Sequence, residues 1–398
     1  MKLRSIKEVK RLKGKKILLR AGFDVPLNEA GRVVNDFRLR SGIPTIKYLV
    51  KNGAAVIIVN HLGRPGGKKD KKLSNKAVAR KLSKLLNKKV VQLNEVVGNR
   101  VGEVVTRLLP GDIIMLENVR FHPGEKVNCH RLARILASYG DLFVNDAFSA
   151  SHRKTASVVA ITAFLPSYAG LLLADEIRNL DKVLTSKLRP KVAIIGGAKL
   201  KTKVGVIKNL LTKMDCLLLG GAVANNVLKD MNYEIGLSKS DKIQLRIVSN
   251  ILLNKLKIPL DVVVAKSLLA RARNQIKAVA EIAKNDIILD IGPDTVRLYS
   301  EIIKSAKLVV WNGPLGYFEI EKYKKSSQDI AKTIAESKTY STIGGGETVE
   351  MIQGLGLIKK FNFVSTGGGA MLEFLEGKIL PGIKPLIINK KYAKNKKN

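Results

Sequence analysis

Among 398 residues there are two cysteines, four histidines and one tryptophan, and aromatic side chains make up only 5% of the chain. Cys129 and Cys216 stand far apart and match no disulfide framework or metal-ligand spacing, which suits a reducing compartment. The pair Cys129-His130 has no second cluster to complete a metal centre and reads as ordinary helix sequence. The few aromatics are not interleaved with basic residues, which argues against a stacking platform for RNA or single-stranded DNA. No run approaches the ~20 apolar residues of a membrane span, and the basic N-terminus lacks the apolar centre of a signal peptide. A soluble cytoplasmic protein with no membrane partner is expected. Two nucleotide signatures are missing as well. Without a Walker A pattern this is no P-loop enzyme, and without Gly-x-Gly-x-x-Gly and a later acid a nicotinamide dehydrogenase is disfavoured.

Acidic residues are also scarce, 33 Asp+Glu against 71 Lys+Arg, for a formal charge of +38. Such an excess raises polyanionic partners. The lysines are scattered over nearly every helical segment, with concentrations at Lys13 to Lys16, Lys68 to Lys72 and Lys390 to Lys397. That pattern reads first as solvation of exposed faces, with non-specific nucleic-acid binding as the reading beside it.

What is abundant is apolar sequence, 45% of the chain, enough for two domains of ordinary size. Strand-like runs recur at Ile17–Leu19, Val56–Val59, Val90–Val91, Ile113–Leu116, Leu142–Val144, Val192–Ile195, Cys216–Leu219, Val262–Val264, Leu308–Trp311, Ser341–Ile343 and Phe361–Val364. Amphipathic segments such as Ser74–Leu86 lie between them, and no solenoid repeat is evident. The alternation predicts α/β architecture with two doubly wound parallel-sheet, Rossmann-like domains. A helix over Ala169–Leu184 and the linker that follows mark the boundary. We expect domains at 1–168 and 190–380, with 169–189 between them, and ligands at the carboxyl ends of the strands.

The loops that follow the strands differ between the halves. In the first half they carry Arg20, Asp24, His61, Arg64, Arg120, His152 and Arg153, and Arg38 opens the first helical segment. Converging guanidinium groups suit a small, multiply charged anion, because each offers two parallel hydrogen bonds to a phosphate or carboxylate. In the second half the same places are rich in glycine: Gly196-Gly197-Ala198-Lys199 with Lys203, Gly220-Gly221, Asn312-Gly313 onward to Glu319, Gly344-Gly345-Gly346-Glu347-Thr348, and Gly367 to Gly369. Bare backbone at helix starts, with two lysines and a carboxylate, describes a nucleoside polyphosphate and its metal.

These segments resemble the phosphoglycerate kinase family. Arg20–Pro26, His61–Pro65, Leu116–Phe121, Asn145–Arg153, Gly196–Lys203, Trp311–Glu319, Gly344–Thr348 and Val364–Leu380 match its signature segments in order, over nearly the whole chain. The resemblance implies a hinge-bending kinase that reversibly transfers a phosphoryl group from 1,3-bisphosphoglycerate to ADP, giving 3-phosphoglycerate and ATP. It implies that Arg38, His61, Arg64, Arg120 and Arg153 hold the phosphoglycerate, with Gly22, Phe23, Asp24, Leu62 and Gly63 beside them. Gly197, Lys199, Lys203, Gly292, Asn312, Gly344, Gly345, Gly346 and Thr348 would meet the nucleotide, and Glu319 its ribose. Glu347 would serve Mg²⁺, and Arg38, Lys203, Gly345 and Gly368 would act on the group in flight. A monomer is expected, with the C-terminal tail, 381–398, packing back on the first domain.

The reaction agrees with the residues. A carboxylate acceptor, with a reference pKa near ~4, is ionised at neutral pH, so no general base is needed and none is conspicuous. Two departures stand out. Where the family usually has an acid and then Asn, this chain has Gly22 and Asp24, and Glu347 replaces the usual Asp. An uncompensated Asp24 facing an anion would weaken binding by ~1 to 3 kcal/mol. The alternative is therefore a weakened kinase homologue that binds polyanions through its basic surface.

Overall fold

The structure, a computed structural model, describes residues 1–242 and 253–388, so the lysine-rich stretch 390–397 lies outside the described residues. Two compact units are present, Met1–Arg178 together with the stretch from Ile379, and Asn179–Lys378.

In the first unit, Val- and Ile-rich runs form β1 (Lys16–Ala21), β2 (Ala55–Val59), β3 (Val91–Gln92), β4 (Ile113–Met115), β5 (Leu142–Asp146) and β6 (Ser167–Ala169). The intervening helices are α1 (Phe37–Lys51), α2 (Lys76–Leu86), α3 (Asn99–Thr106) and α4 (His130–Ala137), and α5 (Leu171–Thr185) follows β6. All the strands are parallel, in the order β3-β4-β2-β1-β5-β6. Alternate residues go to opposite faces. Ile17, Leu19, Val56 and Ile58 join a core with Leu39, Ile46, Val78 and Leu82 from α1 and α2, whereas Leu18, Ile57 and Val59 join Val101, Val105, Leu132 and Leu136 from α3 and α4. Burial on both faces explains why these runs are continuously apolar.

The second unit contains β7 (Lys191–Ile195), α6 (Val204–Lys213), β8 (Cys216–Leu219), α7 (Gly221–Asp230), β9 (Leu256–Lys257), β10 (Asp261–Ala265), β11 (Asn274–Ala278), β12 (Ile287–Ile291) and α8 (Pro293–Ser305). It continues with β13 (Leu308–Asn312), α9 (Lys325–Glu336), β14 (Tyr340–Gly344), α10 (Gly346–Gly354), β15 (Phe363–Val364) and α11 (Gly368–Leu375). Its main sheet is again parallel, in the order β15-β14-β13-β7-β8-β9. In both sheets the first strand of the unit sits inside, so connections leave it in both directions and open a crevice at the carboxyl edge.

Two expectations need correction. Val262–Val264 is a strand, but it belongs to a separate antiparallel sheet, β11-β10-β12, and not to the parallel one. Apolar branched residues specify extended backbone without choosing a partner, and β11, with Asn274, Gln275 and Ile276 exposed, has no apolar alternation to announce it. Ala169 pairs with Asn145 in β6, so the helix starts at Leu171. Among the described residues no helix is long and apolar enough to cross a membrane.

Ile58 is wholly buried at the centre of the first sheet. Ile58→Ala should cost about 2–5 kcal/mol of stability, read from the denaturant midpoint at unchanged slope.

Candidate active site

At the carboxyl edge of the first sheet the loops are tied together by buried polar groups. Arg20, near the end of β1, is 1% exposed. Its Nε donates to Ser157 Oγ at 2.8 Å, its Nη2 to His61 Nδ1 at 2.8 Å, and its Nη1 to the carbonyl of Ala21. Ser157 in turn gives both its hydroxyl, at 2.7 Å, and its N–H, at 2.9 Å, to the buried Glu125 carboxylate. The buried cation is thus balanced by a carboxylate one hydroxyl away. Burial still pulls Arg20 down to about 10.

A guanidinium only donates, so His61 Nδ1 must accept, and a neutral ring then carries its proton on Nε2. Burial holds His61 down to about 3, with Arg20 and Arg120 adding to it against the pull of Asp24. The Nε2–H faces Asp24 Oδ2 at 3.5 Å, while Asp24 Oδ1 accepts the N–H of Gly63 at 2.9 Å. Burial alone would raise Asp24, but His61, the Gly63 N–H and the charge of Arg38 hold it well below the usual carboxylate range.

The charge gained at position 24 is therefore compensated. Asp24 spends its carboxylate on the 61–63 loop, and its carbonyl accepts from Arg38 Nη1. The lost side chain at Gly22 has a local cost. A Cβ there would lie 3.0 Å from Ser149 Oγ, a buried hydroxyl with no partner among the described residues.

Phe23 and Leu62, both 1% exposed, act through packing and backbone. Arg120 Nη1 donates to the carbonyl of Gly63 at 2.6 Å, and burial, together with Arg153 and Arg64, lowers its pKa. Arg64 and Arg153 themselves are exposed. The predicted cations are thus brought together around Asp24 and Gly63, with Arg38 on the first turn of α1.

In the second unit the glycine turns meet backbone to backbone. A Cβ on Gly313, at φ +94°, would lie 2.5 Å from the carbonyl of Gly196, and one on Gly196 would lie 2.1 Å from that of Pro314. Lys203 reaches between these loops and donates to the Gly196 carbonyl. Burial pushes its amine down to about 8, against the attraction of Glu347. Gly345 and Gly368 approach so closely that a Cβ on Gly368 would lie 3.0 Å from Gly345 Cα, which sets the N-termini of α10 and α11 side by side. Amides at both helix starts, with their dipoles, give this place the chemistry that suits an anion. Thr348 Oγ1 accepts the Gly313 N–H at 3.1 Å, and Asn312 Nδ2 lies 3.9 Å from Met371 Sδ.

A cleft beside these loops is walled by Leu237, Val262, Leu268 and Leu289, with Glu319 and Glu347 also lining it. Lys199 is exposed on the loop that leads to Lys203. Gly344 ends β14 with no room for a side chain, since a Cβ would strike Met371 Sδ at 2.2 Å, and Gly346 begins α10. Gly292 caps α8 and is packed against the Asp261 carboxylate, directly after Ile291, which lines the cleft.

Sequence reasoning missed the apolar wall and Asp290, which burial pushes up to about 7 against hydrogen bonds from Ser326 and Ile291. A lone acid inside the apolar run Ile287–Ile291 was the available signal.

A family model described as phosphoglycerate kinase matches residues 6–378. The chain belongs to the phosphoglycerate kinase family. It is 44% identical over 382 residues to the phosphoglycerate kinase of Pelotomaculum thermopropionicum, covering 94% of this chain and 97% of that one. The phosphoglycerate kinase structure from Coxiella burnetii superposes with a TM-score of 0.83 at 38% identity, covering 97% of this chain and 99% of that one. For the Pyrococcus horikoshii enzyme the TM-score is 0.85 at 30% identity, covering 96% and 98%. The activity is accordingly that of a phosphotransferase of this family, and nothing favours the alternative of a polyanion-binding homologue.

With so few histidines, the state of His61 is directly measurable. Nitrogen-15 shifts should report a neutral ring protonated at Nε2 and no titration between pH 5 and 8, because burial disfavours the charged form; a midpoint near the ordinary ~6.5 would contradict the network.

Proposed function

We propose that the first unit holds 3-phosphoglycerate or 1,3-bisphosphoglycerate through Arg38, His61, Arg64, Arg120 and Arg153, and that the second holds ADP or ATP. The observation that carries this division is the contrast between the two crevices. One is a cluster of cations organised by Asp24 and Gly63; the other is a set of bare amides at two helix starts beside an apolar wall. The first suits a small carboxylate-phosphate. The second suits a base, a ribose at Glu319 and a polyphosphate chain along Lys199, Lys203, Asn312 and Thr348. Gly345 and Gly368 bring their amides to the transferring group.

The residues present fit magnesium as the nucleotide's counterion. Among the described residues no cluster of three or more His, Cys, Asp or Glu could hold a metal, and Glu347 is an exposed carboxylate on the first turn of α10. One carboxylate with phosphate and water oxygens is how this hard cation is ordinarily bound. Bound there, it would neutralise phosphate charge, and the extra methylene of Glu347 gives the carboxylate a longer reach than the family's Asp.

The acceptor carboxylate needs no deprotonation, so the protein's work is alignment and charge stabilisation. Arg38, now spending one nitrogen on the Asp24 carbonyl, is placed to turn toward the group in flight. Lys203, resting on the Gly196 carbonyl, exchanges that bond for a phosphate oxygen. We read the chain as a monomeric, cytoplasmic enzyme of glycolysis and gluconeogenesis, with domains at 1–168 and 190–380 and nucleic-acid binding no more than non-specific.

A coupled assay of ATP-dependent phosphorylation of 3-phosphoglycerate with magnesium tests the reading, and absence of turnover overturns it. Arg38→Ala should lower kcat by about 100-fold or more with a small change in KM, since a charged contact made in the transition state is lost. Because burial holds Lys203 at about 8, the free enzyme loses this cation as pH rises, so kcat/KM for nucleotide should fall above pH 8. Lys203→Arg should remove that limb of the profile.

A further inference from the structure

Helix α1 presents Arg38, Gly42 and Thr45 at helical spacing; the first two meet the loop after β1, and Thr45 meets β5 and the start of α5. Arg38 Nη1 donates to the Asp24 carbonyl after β1. At Gly42 the Phe23 ring takes the place of a side chain, 2.6 Å from where a Cβ would sit. Thr45, wholly buried, accepts the N–H of Leu171, the first residue of α5, at 3.1 Å, and hydrogen bonds with the Asp146 carboxylate at the end of β5.

Asp146, 2% exposed, also accepts from the amides of Leu173, at 3.2 Å, and Leu172. A Cβ on Gly170 would lie 2.1 Å from its Oδ1, so the turn into α5 is closed around it. The opening amides of α5 are therefore satisfied by a hydroxyl from α1 and a carboxylate from β5. Both acceptors, Thr45 and Asp146, are buried, so breaking these bonds leaves their oxygens without water to turn to.

We infer that Thr45 is a positioning residue for phosphoryl transfer, tying the start of α5 to the helix that carries Arg38, so that a substrate anion gripped at Arg38 acts on the segment leading into the nucleotide-binding unit. The unit boundary between Arg178 and Asn179 falls within α5 itself. The inference rests on the proposed role of Arg38 as a substrate ligand. A shift of α1 as it grips an anion either carries the α5 amides with it or breaks buried hydrogen bonds, so the two elements move together.

The test compares the full chain with Thr45→Val, which keeps the shape and loses the hydroxyl, and Thr45→Ser, which keeps the hydroxyl. Asp146→Asn, which leaves one acceptor oxygen, is the second probe. Calorimetric Kd values for 3-phosphoglycerate and ADP, kcat and the unfolding midpoint are measured for each. Thr45→Val should bind each ligand alone within about threefold of the natural chain while kcat falls about tenfold, and Thr45→Ser should recover kcat to within about twofold; Asp146→Asn should show the same split. Natural kcat in Thr45→Val, or equal loss in Thr45→Ser, would overturn the coupling and leave Thr45 a packing residue. Failure of the natural chain to bind 3-phosphoglycerate would instead remove the reading of Arg38, and the coupling with it.

Discussion

A parallel sheet delivers the carboxyl ends of all its strands to one edge, and this constraint governs both units of the chain. The residues that follow β1, β2, β4 and β5 are distant in sequence, yet the sheet sets Asp24, His61, Arg120 and the 145–153 loop along a single border. The same geometry gathers the turns after β7, β13, β14 and β15 around Gly313 and Gly345. Everything chemical in the molecule hangs from those two edges. What differs is the filling: guanidinium groups around Asp24 and Gly63 in one unit, bare amides at two helix starts in the other.

Gathering cations has an electrostatic cost, and the structure shows how it is met. His61 sits between Arg20, Arg120 and Asp24 and stays neutral, so it adds a hydrogen-bond donor without adding charge. Arg20 is offset by Glu125 through Ser157. Asp24 holds the Gly63 amide and faces His61, which lets one carboxylate organise two loops. The position that looks most damaging in the sequence is thus part of the scaffold. The other side of the exchange is Gly22, beside which the buried Ser149 hydroxyl has no partner among the described residues.

Much of this was legible in the sequence for physical reasons. Runs such as Val56–Val59 and Leu308–Trp311 are apolar because both sheet faces are covered, and the punctuating Gly and Arg residues fall where strands end. Three features were not legible. The partner of Val262–Val264 depends on β11, whose exposed polar residues carry no periodic signal. The compensation of Asp24 is a contact with loop 61–63 across 37 or more residues, which no local pattern encodes. The apolar wall of the second cleft draws Leu237, Leu268 and Leu289 from separate segments, each unremarked alone.

The central claim is a division of labour between two crevices, and it is tested most directly by a crossed binding experiment. Calorimetric titration of 3-phosphoglycerate and of ADP, each alone, is run on Arg153→Ala and Glu319→Ala, whose side chains are both exposed and therefore removable without disturbing a core. The account predicts that Arg153→Ala loses affinity for 3-phosphoglycerate about tenfold or more and keeps its affinity for ADP, with the reverse for Glu319→Ala. Equal loss of both ligands in either variant, or the opposite assignment, would contradict it.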